Sequence, residues 1–386
     1  MNNIDKVVKD LEKELKNLSK YIYDNPELGY EEYKSSKAHI DILKKHGFDV
    51  EENYLDIDTA FKATYDSGKE GATISYLAEY DALPGIGHGC GHNILGTTST
   101  GAGITLSKII DDIGGKVVVF GTPAEETSGA KVIMAEKGSF EDIDVAMIAH
   151  PGDKYEKSGK SLAMEAIQFK YTGRTAHAAA SPHEGVNALD AAINTFNNIN
   201  ALREHILPSA RIHGIIKEGG EAANIVPDLA IAQFYVRATT KTYLIELVEK
   251  VKNCAKGASL AAGTKIEISN YEASYDNMVT NNVLSNLYTK NLKDTGVEEI
   301  YEPRESFGSI DAGNVSQVCP AIHPTFDITG REVPGHTREF RDATLTDYAH
   351  ENMKKTIKAL ATTGKEIIEN KEILEKIKEE FNNTNK

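Results

Sequence analysis

Apolar residues at Ile4, Val7, Val8, Leu11, Leu15 and Leu18 recur at the spacing of one helical face, so the chain opens on an amphipathic helix. A second helix is expected from about Glu31 to His46, stopped by Gly47. Apolar runs at Thr59–Tyr65 and Ala72–Tyr80 read as strands. A glycine-rich loop follows, then a helix of small residues over about Thr97–Ile110. Lys116–Pro123 and Asp144–His150 read as buried strands, with a helix at Ala130–Lys137 between them. Strands alternating with helices predict an α/β fold whose mostly parallel sheet is covered on both faces.

The pattern changes after about Lys160. Ala163–Gly173 reads as a strand and Gly185–His205 as a helix. Ala210–Gly220 and Leu229–Thr239 read as an antiparallel pair, followed by a helix over Thr242–Ala261 and a strand over Thr264–Tyr271. This β-α-β-β-α-β order predicts a ferredoxin-like α+β unit inserted into the parallel-sheet domain. From about Thr280 helices resume, the sheet regains a strand near Ala321–Thr329, and Gly364–Asn383 reads as one amphipathic helix. The expected division is 1–162, an inserted 163–276, and 277–386.

Composition narrows the function. With 43 Lys and Arg against 58 Asp and Glu, the net charge of -15 disfavours nucleic acid or an anionic membrane as partner. Three scattered cysteines (Cys90, Cys254 and Cys319) do not form a disulfide framework, which fits a reducing compartment. The charged N-terminus lacks the apolar core of a signal peptide, and no apolar run approaches membrane-spanning length. A cytoplasmic location is expected.

Candidate chemistry concentrates at three strand ends. The first predicted β-α strand leads into Asp81 and the loop Gly85–Gly96, GIGHGCGHNILG, which carries Cys90 and His92. Lys116–Thr122 leads into Glu125 and Glu126, and Asp144–Ala149 ends at His150. Ligands of doubly wound sheets sit beyond the carboxyl ends of the strands, so parallel neighbours would bring all three groups to one rim. The loop's glycines do not keep the G-x-G-x-x-G register and no Lys-Ser/Thr follows, which excludes a phosphate cradle. A thiolate and an imidazole two residues apart can face one ion, and glycines let the backbone approach it. A bare redox thiol leaves His92, Glu126 and His150 unexplained; the bland alternative is a glycine turn with incidental polar residues. For Glu125-Glu126, one side chain can bind metal while the other faces substrate as a general base; the bland reading is an acidic turn opening a helix.

Most histidines receive a plain reading. His39, His46, His205 and His350 lie on charged segments and are taken as surface residues. His88 reads as an accessory of the loop or a solvent-facing group, and His323, beside prolines, as structural. His177, His183, His213 and His336 stay open on pattern alone.

Taken in order, NPELGYEEYKSS (25–36), EYDALPGIGHGCGHN (79–93), TPAEET (122–127), AHPG (149–152), GRTAHAAASPHEGVNALDAA (173–192), NIVPDLAIAQFYVRA (224–238) and PGHTREF (334–340) resemble the aminoacylase and glutamate-carboxypeptidase family of dinuclear metallohydrolases. The likeness spans nearly the whole chain and is to the amidohydrolase branch with hippuricase, auxin-conjugate hydrolases and p-aminobenzoyl-glutamate hydrolase. It implies metal ligands at Cys90, His92, Glu126, His150 and His336, and Glu125 as general base. It further implies Asp81 as a carboxylate orienting a ligand, His177 as a lid histidine polarising the scissile carbonyl, and Asn224 and Arg237 as substrate-binding residues. Two divalent ions per protomer, zinc or manganese, and a homodimer formed through the lid domain are part of the same implication. Asn93 stands where much of the branch has Asp. That departure resembles the p-aminobenzoyl-glutamate hydrolase and dipeptidase-like subgroup and removes a charge beside the expected metals.

The expected activity is metal-dependent hydrolysis of an amide or peptide bond next to a free carboxylate. N-acyl amino acids, aminobenzoyl-glutamate-like conjugates and dipeptides are the substrate classes. The alternatives are a narrow-specificity dipeptidase, a non-catalytic binding protein that kept the fold, or a thiol enzyme using Cys90.

Overall fold

A computed structural model describes residues 3–304 and 308–384. The chain divides into two compact units: Met1–Lys160, Met278–Ser306 and Asp311–Lys386 form one, and Ser161–Asn277 with Phe307–Ile310 form the other.

The first unit is built on a six-stranded sheet. Numbering strands along the chain, its order is β1 (Asp49–Glu52), β2 (Phe61–Asp66), β4 (Lys116–Gly121), β3 (Thr73–Ala78), β5 (Val145–Met147) and β11 (Ala321–Ile322). Contacts from β4 through β3 and β5 to β11 are parallel, whereas β1, β2 and β4 pair antiparallel at one side. The result is a mostly parallel sheet in an α/β unit. A small parallel pair, β6 (His150–Gly152) with β12 (Thr325–Asp327), continues from the end of β5. Asp144–His150 is thus not one strand: pairing stops at Met147, and the His150 N–H bonds the Pro324 carbonyl at 2.9 Å.

Helix His92–Ile113 is buried over nearly its whole length and packs against β3, β4 and the helices Asn3–Asp24 and Asp347–Glu369. It starts five residues earlier than the apolar pattern suggests, because Gly91, at φ +82°, is its N-cap. A Cβ on Gly91 would lie 2.6 Å from Pro151 Cγ, so glycine is needed there for space as well as conformation. Gly96 is constrained by space alone, with the Glu79 carbonyl 2.4 Å from where its Cβ would sit. The expected single C-terminal helix is two, Asp347–Glu369 and Lys371–Thr384. Asn370 separates them, its Oδ1 accepting the N–H groups of Glu372 and Ile373 as an N-cap does.

Two histidines expected at the surface belong to this core. His39 is fully buried, bonded through Nδ1 to Thr100 Oγ1 at 2.8 Å and packed on Phe61 and Tyr80. His350 is also buried, on the inner side of Asp347–Glu369. Charged neighbours along the chain mark the outer faces of those helices; the histidines occupy the inner ones. His88 is buried too, Nε2 on the Ile22 carbonyl at 3.1 Å.

The second unit carries a four-stranded antiparallel sheet in the order β10 (Lys265–Asn270), β7 (Ala163–Thr172), β9 (Leu229–Ala238), β8 (Arg211–Glu218). Helices Ala188–Leu202 and Lys241–Ala262 pack on one another and on this sheet, which is the ferredoxin-like arrangement. Side-chain caps start both helices: Asn187 accepts from Leu189 and Asp190, and Thr240 from Tyr243. Phe169, Phe234, Val236, Leu247 and Val251 are among the residues that fill the core. No helix among the described residues is long and apolar enough to cross a membrane.

Candidate metal centre

Strands β4, β3 and β5 are adjacent and parallel, so their carboxyl ends share one rim. Beyond β3 come Asp81, Cys90 and His92; beyond β4, Glu125 and Glu126; beyond β5, His150. Three overlapping sets of side chains have ligand atoms within 4.8 Å of one another: Cys90, His92 and His150; Cys90, Glu126 and His336; His92, Glu125 and Glu126. Cys90, His92 and Glu126 each belong to two sets, so the donors form one linked cluster.

Backbone and hydrogen bonds aim these groups. Asp81 Oδ1 accepts the Nδ1–H of His92 at 2.8 Å, leaving Nε2 free for another partner. Asp81 Oδ2 accepts the backbone N–H of Glu126 at 2.9 Å, so one carboxylate ties two strand ends together. His150 donates Nδ1–H to the Pro151 carbonyl at 2.8 Å, which turns Nε2 toward Cys90 Sγ at 3.5 Å. His336 Nε2 lies 3.5 Å from Glu126 Oε1, and its N–H bonds the Gly89 carbonyl at 2.9 Å. Two non-glycine residues here adopt left-handed backbone: Ala124 (φ +65°), just before Glu125, and His336 itself (φ +59°). Such strained positions persist where surrounding contacts hold them. At Ala124 the holder is Glu32, whose Oε1 accepts its N–H at 2.8 Å while Thr59 donates to Oε2.

Electrostatics agree with a cation site. Burial pushes the Cys90 thiol up, which runs against a free reactive thiolate and against the thiol-enzyme reading. Burial acts most strongly on His92 and lowers it, but the charges of Asp81 and Cys90 outweigh that and leave it well above an ordinary imidazole. His150 is pulled down to about 3 by burial and by its neighbours His323 and His92, so its ring is neutral. Glu125 is held well above the usual carboxylate range by burial, then by the charges of Glu79 and Asp311. Buried polar atoms His92 Nε2 and Glu126 Oε1 have no hydrogen-bond partner. A cluster of thiol, imidazole and carboxylate with orphaned polar atoms is the chemistry of a borderline metal such as zinc. The residues fit a bound metal.

The sequence reading missed three groups around this cluster. Glu79, Lys131 and Asp311 form a fully buried ion-pair chain, with Lys131 Nζ 2.8 Å from Glu79 Oε1 and 2.6 Å from Asp311 Oδ1. Glu79 and Asp81, two apart beyond a strand, share a face, and that alternation was the available signal. His323, taken as structural, stacks on His150 with ring centroids 5.5 Å apart. Asn93 requires a correction: its Nδ2 donates to Ser19 and Thr344, so the side chain points into the helix packing and not at the donor cluster. Beside Cys90, His150 and His336 lies a cavity of about 440 Å³ lined in part by Asp153, Glu156 and Arg304.

The remaining expected site residues lie in the second unit. His177 is exposed, its Nδ1 accepting the N–H groups of Ala179 and Ala180, which assigns the ring proton to Nε2. The Asn224 carbonyl accepts the N–H of Ala178, placing Asn224 beside that turn. Arg237, half-buried on β9, donates to Ser309 Oγ at 2.7 Å and lies over the Tyr235 ring.

Comparison with known proteins is specific. A family profile described as a peptidase dimerisation domain of the M20 type matches residues 163–262. Xaa-Arg dipeptidase of Mus musculus is 37% identical over 384 residues, covering 94% of this chain and 88% of its own length. One of the polypeptides of p-aminobenzoyl-glutamate hydrolase from Escherichia coli is 33% identical over 300 residues, covering 72% of this chain and 62% of its own. Among solved structures, a dinuclear metal-binding peptidase of the M20 family from Bacillus subtilis superposes with a TM-score of 0.68 at 18% identity, covering 90% of this chain and 98% of that one. The second unit corresponds to the matched dimerisation domain, and the parallel-sheet unit carries the donor cluster. Sequence identity across nearly the full length, with this fold, makes the chain a member of the M20 family of metallopeptidases and amidohydrolases, and a hydrolase.

Proposed function

We propose that the chain hydrolyses an amide or peptide bond adjacent to a free carboxylate, using two divalent ions, zinc or manganese, held by Cys90, His92, Glu126, His150 and His336. The observation that carries this reading is the linked set of donor clusters at the rim of three adjacent parallel strands. When bound, the ions supply Lewis acidity to the scissile carbonyl and lower the pKa of the attacking water. Glu125, whose Oε2 lies 4.0 Å from His92 Nε2, is assigned as the base that takes the water proton and returns it to the leaving amine. Its buried setting supports that role, because burial and the charges of Glu79 and Asp311 raise its affinity for the proton it would take. Asp81 fixes the tautomer of His92 and the turn of Glu126. His177, whose Nε2–H is free to donate among the bonds described, is assigned to polarising the carbonyl. Asn224 and Arg237 are assigned to substrate recognition, the guanidinium suiting a carboxylate.

A narrower reading, dipeptidase action, is supported by the greater identity and coverage with Xaa-Arg dipeptidase. The cavity beside the cluster is lined by Asp153, Glu156 and Glu332 together with Arg304, whose guanidinium pairs with both Asp153 and Glu156. The second unit is assigned as lid and homodimerisation domain. Strand β8 is an edge of its sheet, and Ile215 and Ile216 on it are exposed, which supports pairing with a second copy.

Metal analysis followed by a substrate panel tests the function. Activity should vanish with chelator and return with zinc or manganese. Cleavage of dipeptides but not of N-acyl amino acids or aminobenzoyl-glutamate would select the dipeptidase reading. Chelator-insensitive turnover would overturn the metal mechanism.

A further inference from the structure

Beneath the donor cluster lies a chain of buried charge that none of the roles above uses. Asp311 Oδ1 accepts from Lys131 Nζ at 2.6 Å, and Lys131 Nζ lies 2.8 Å from Glu79 Oε1; the three side chains are at most 1% exposed. A lysine buried this deeply is strongly unfavourable unless it is paired on more than one side. Here Asp311 and Glu79 both pair it, and Asp311 Oδ2 also accepts the Lys131 backbone N–H. The position of Glu79 Oε1 is therefore determined by a rigid, water-excluded contact.

The other oxygen of Glu79 is the informative atom. Glu79 Oε2 is buried, has no hydrogen-bond partner, and lies 3.3 Å from His92 Nε2. His92 Nε2 is likewise buried and without a hydrogen-bond partner, since its ring is engaged through Nδ1 on Asp81. Two buried polar atoms this close without a hydrogen bond between them call for positive charge in their shared space, either a proton on the His92 ring or a bound cation. Lys131 does not supply it, because its ammonium is on the far oxygen, Oε1.

We propose that Glu79 is a further residue of the metal site, giving Oε2 to the cation held at His92 Nε2, with Lys131 and Asp311 as positioning residues that orient it. The inference rests on the metal reading of the donor cluster and adds to it one carboxylate ligand. It also accounts for Lys131: the ammonium occupies one oxygen of Glu79 and so leaves the other aimed at the cluster.

Affinity for the metal alone is the test. Zinc and manganese are titrated against a chromophoric chelator into the apo forms of wild type, Glu79→Gln and Glu79→Asp, with folding checked by circular dichroism. Thermal stabilisation by each metal is recorded in parallel. Wild type should take up two ions. Glu79→Gln keeps the size and loses the charge, and it should bind one of the two about 10–100-fold more weakly, with a correspondingly smaller thermal shift. Glu79→Asp keeps the charge but withdraws the oxygen by one methylene, and it should weaken the same site. If Glu79→Gln does not fold, Glu79→Asp decides. Two ions bound with wild-type affinity by a folded variant overturn the assignment of Glu79 and leave the metal reading standing. A wild type that binds no metal overturns both.

Discussion

Asp81 and His92 form a fully buried pair, carboxylate Oδ1 to Nδ1 at 2.8 Å, in which the acid determines which ring nitrogen of the histidine stays open. The second oxygen of Asp81 holds the Glu126 N–H. Both oxygens accept, so an amide cannot replace the acid: its NH2 either meets the Glu126 N–H or forces the His92 proton onto Nε2, closing the nitrogen that faces the cluster. Asp81→Asn should weaken metal binding by about 10–100-fold while the protein stays folded, read by chelator competition. Unchanged affinity would remove Asp81 from its orienting role.

Glu125→Gln keeps the side-chain volume and abolishes proton transfer. It should lower kcat by roughly 10²–10⁴ with both ions still bound. Steady-state kinetics with metal analysis of the same sample provide the check, and near-normal turnover would sink the assignment.

His39 offers a pH test away from the donor cluster. Burial lowers it from 6.5 to about 3, so the folded protein keeps it neutral where the unfolded chain takes up a proton. Its contribution is complete above 6.5 and is lost as pH falls toward 3, at about 1.4 kcal/mol per pH unit. His39→Asn, which retains a polar atom for Thr100 but no titrating ring, should show a shallower fall in stability between pH 6.5 and 4.5. Urea unfolding of both forms at several pH values measures the slopes; parallel slopes refute the buried-neutral assignment.

Ile215 is 60% exposed on the edge strand β8. Ile215→Lys should shift a dimer toward monomer without unfolding the second unit, since the side chain contributes nothing to its core. Sedimentation equilibrium reads the outcome, and a dimer of wild-type strength moves the interface elsewhere.

Local pattern carried much of the architecture. Alternating strands and helices gave the mostly parallel sheet, and β-α-β-β-α-β order gave the antiparallel unit, because each element buries one face with its own period. Boundaries set by a single capping residue were less legible. Gly91 starts its helix early and Asn370 splits the last one, and neither effect shows in hydrophobic periodicity. Burial of His39 failed for a related reason: charges on the outer face of a helix say little about a polar residue on the inner face.

Residue types and their spacing by themselves determined which side chains of the first unit have donor chemistry, and that three groups of them follow strands of one sheet. Only the tertiary structure decided their neighbours. Strand order made β4, β3 and β5 adjacent, Asp81 tied two strand ends, and Asn93 turned away into helix packing. The Glu79–Lys131–Asp311 chain joins residues up to 232 apart in sequence, from Glu79 to Asp311, so no local spacing encodes it. Long-range electrostatic pairing depends on distance in space and on exclusion of water, and both exist only once the chain has folded.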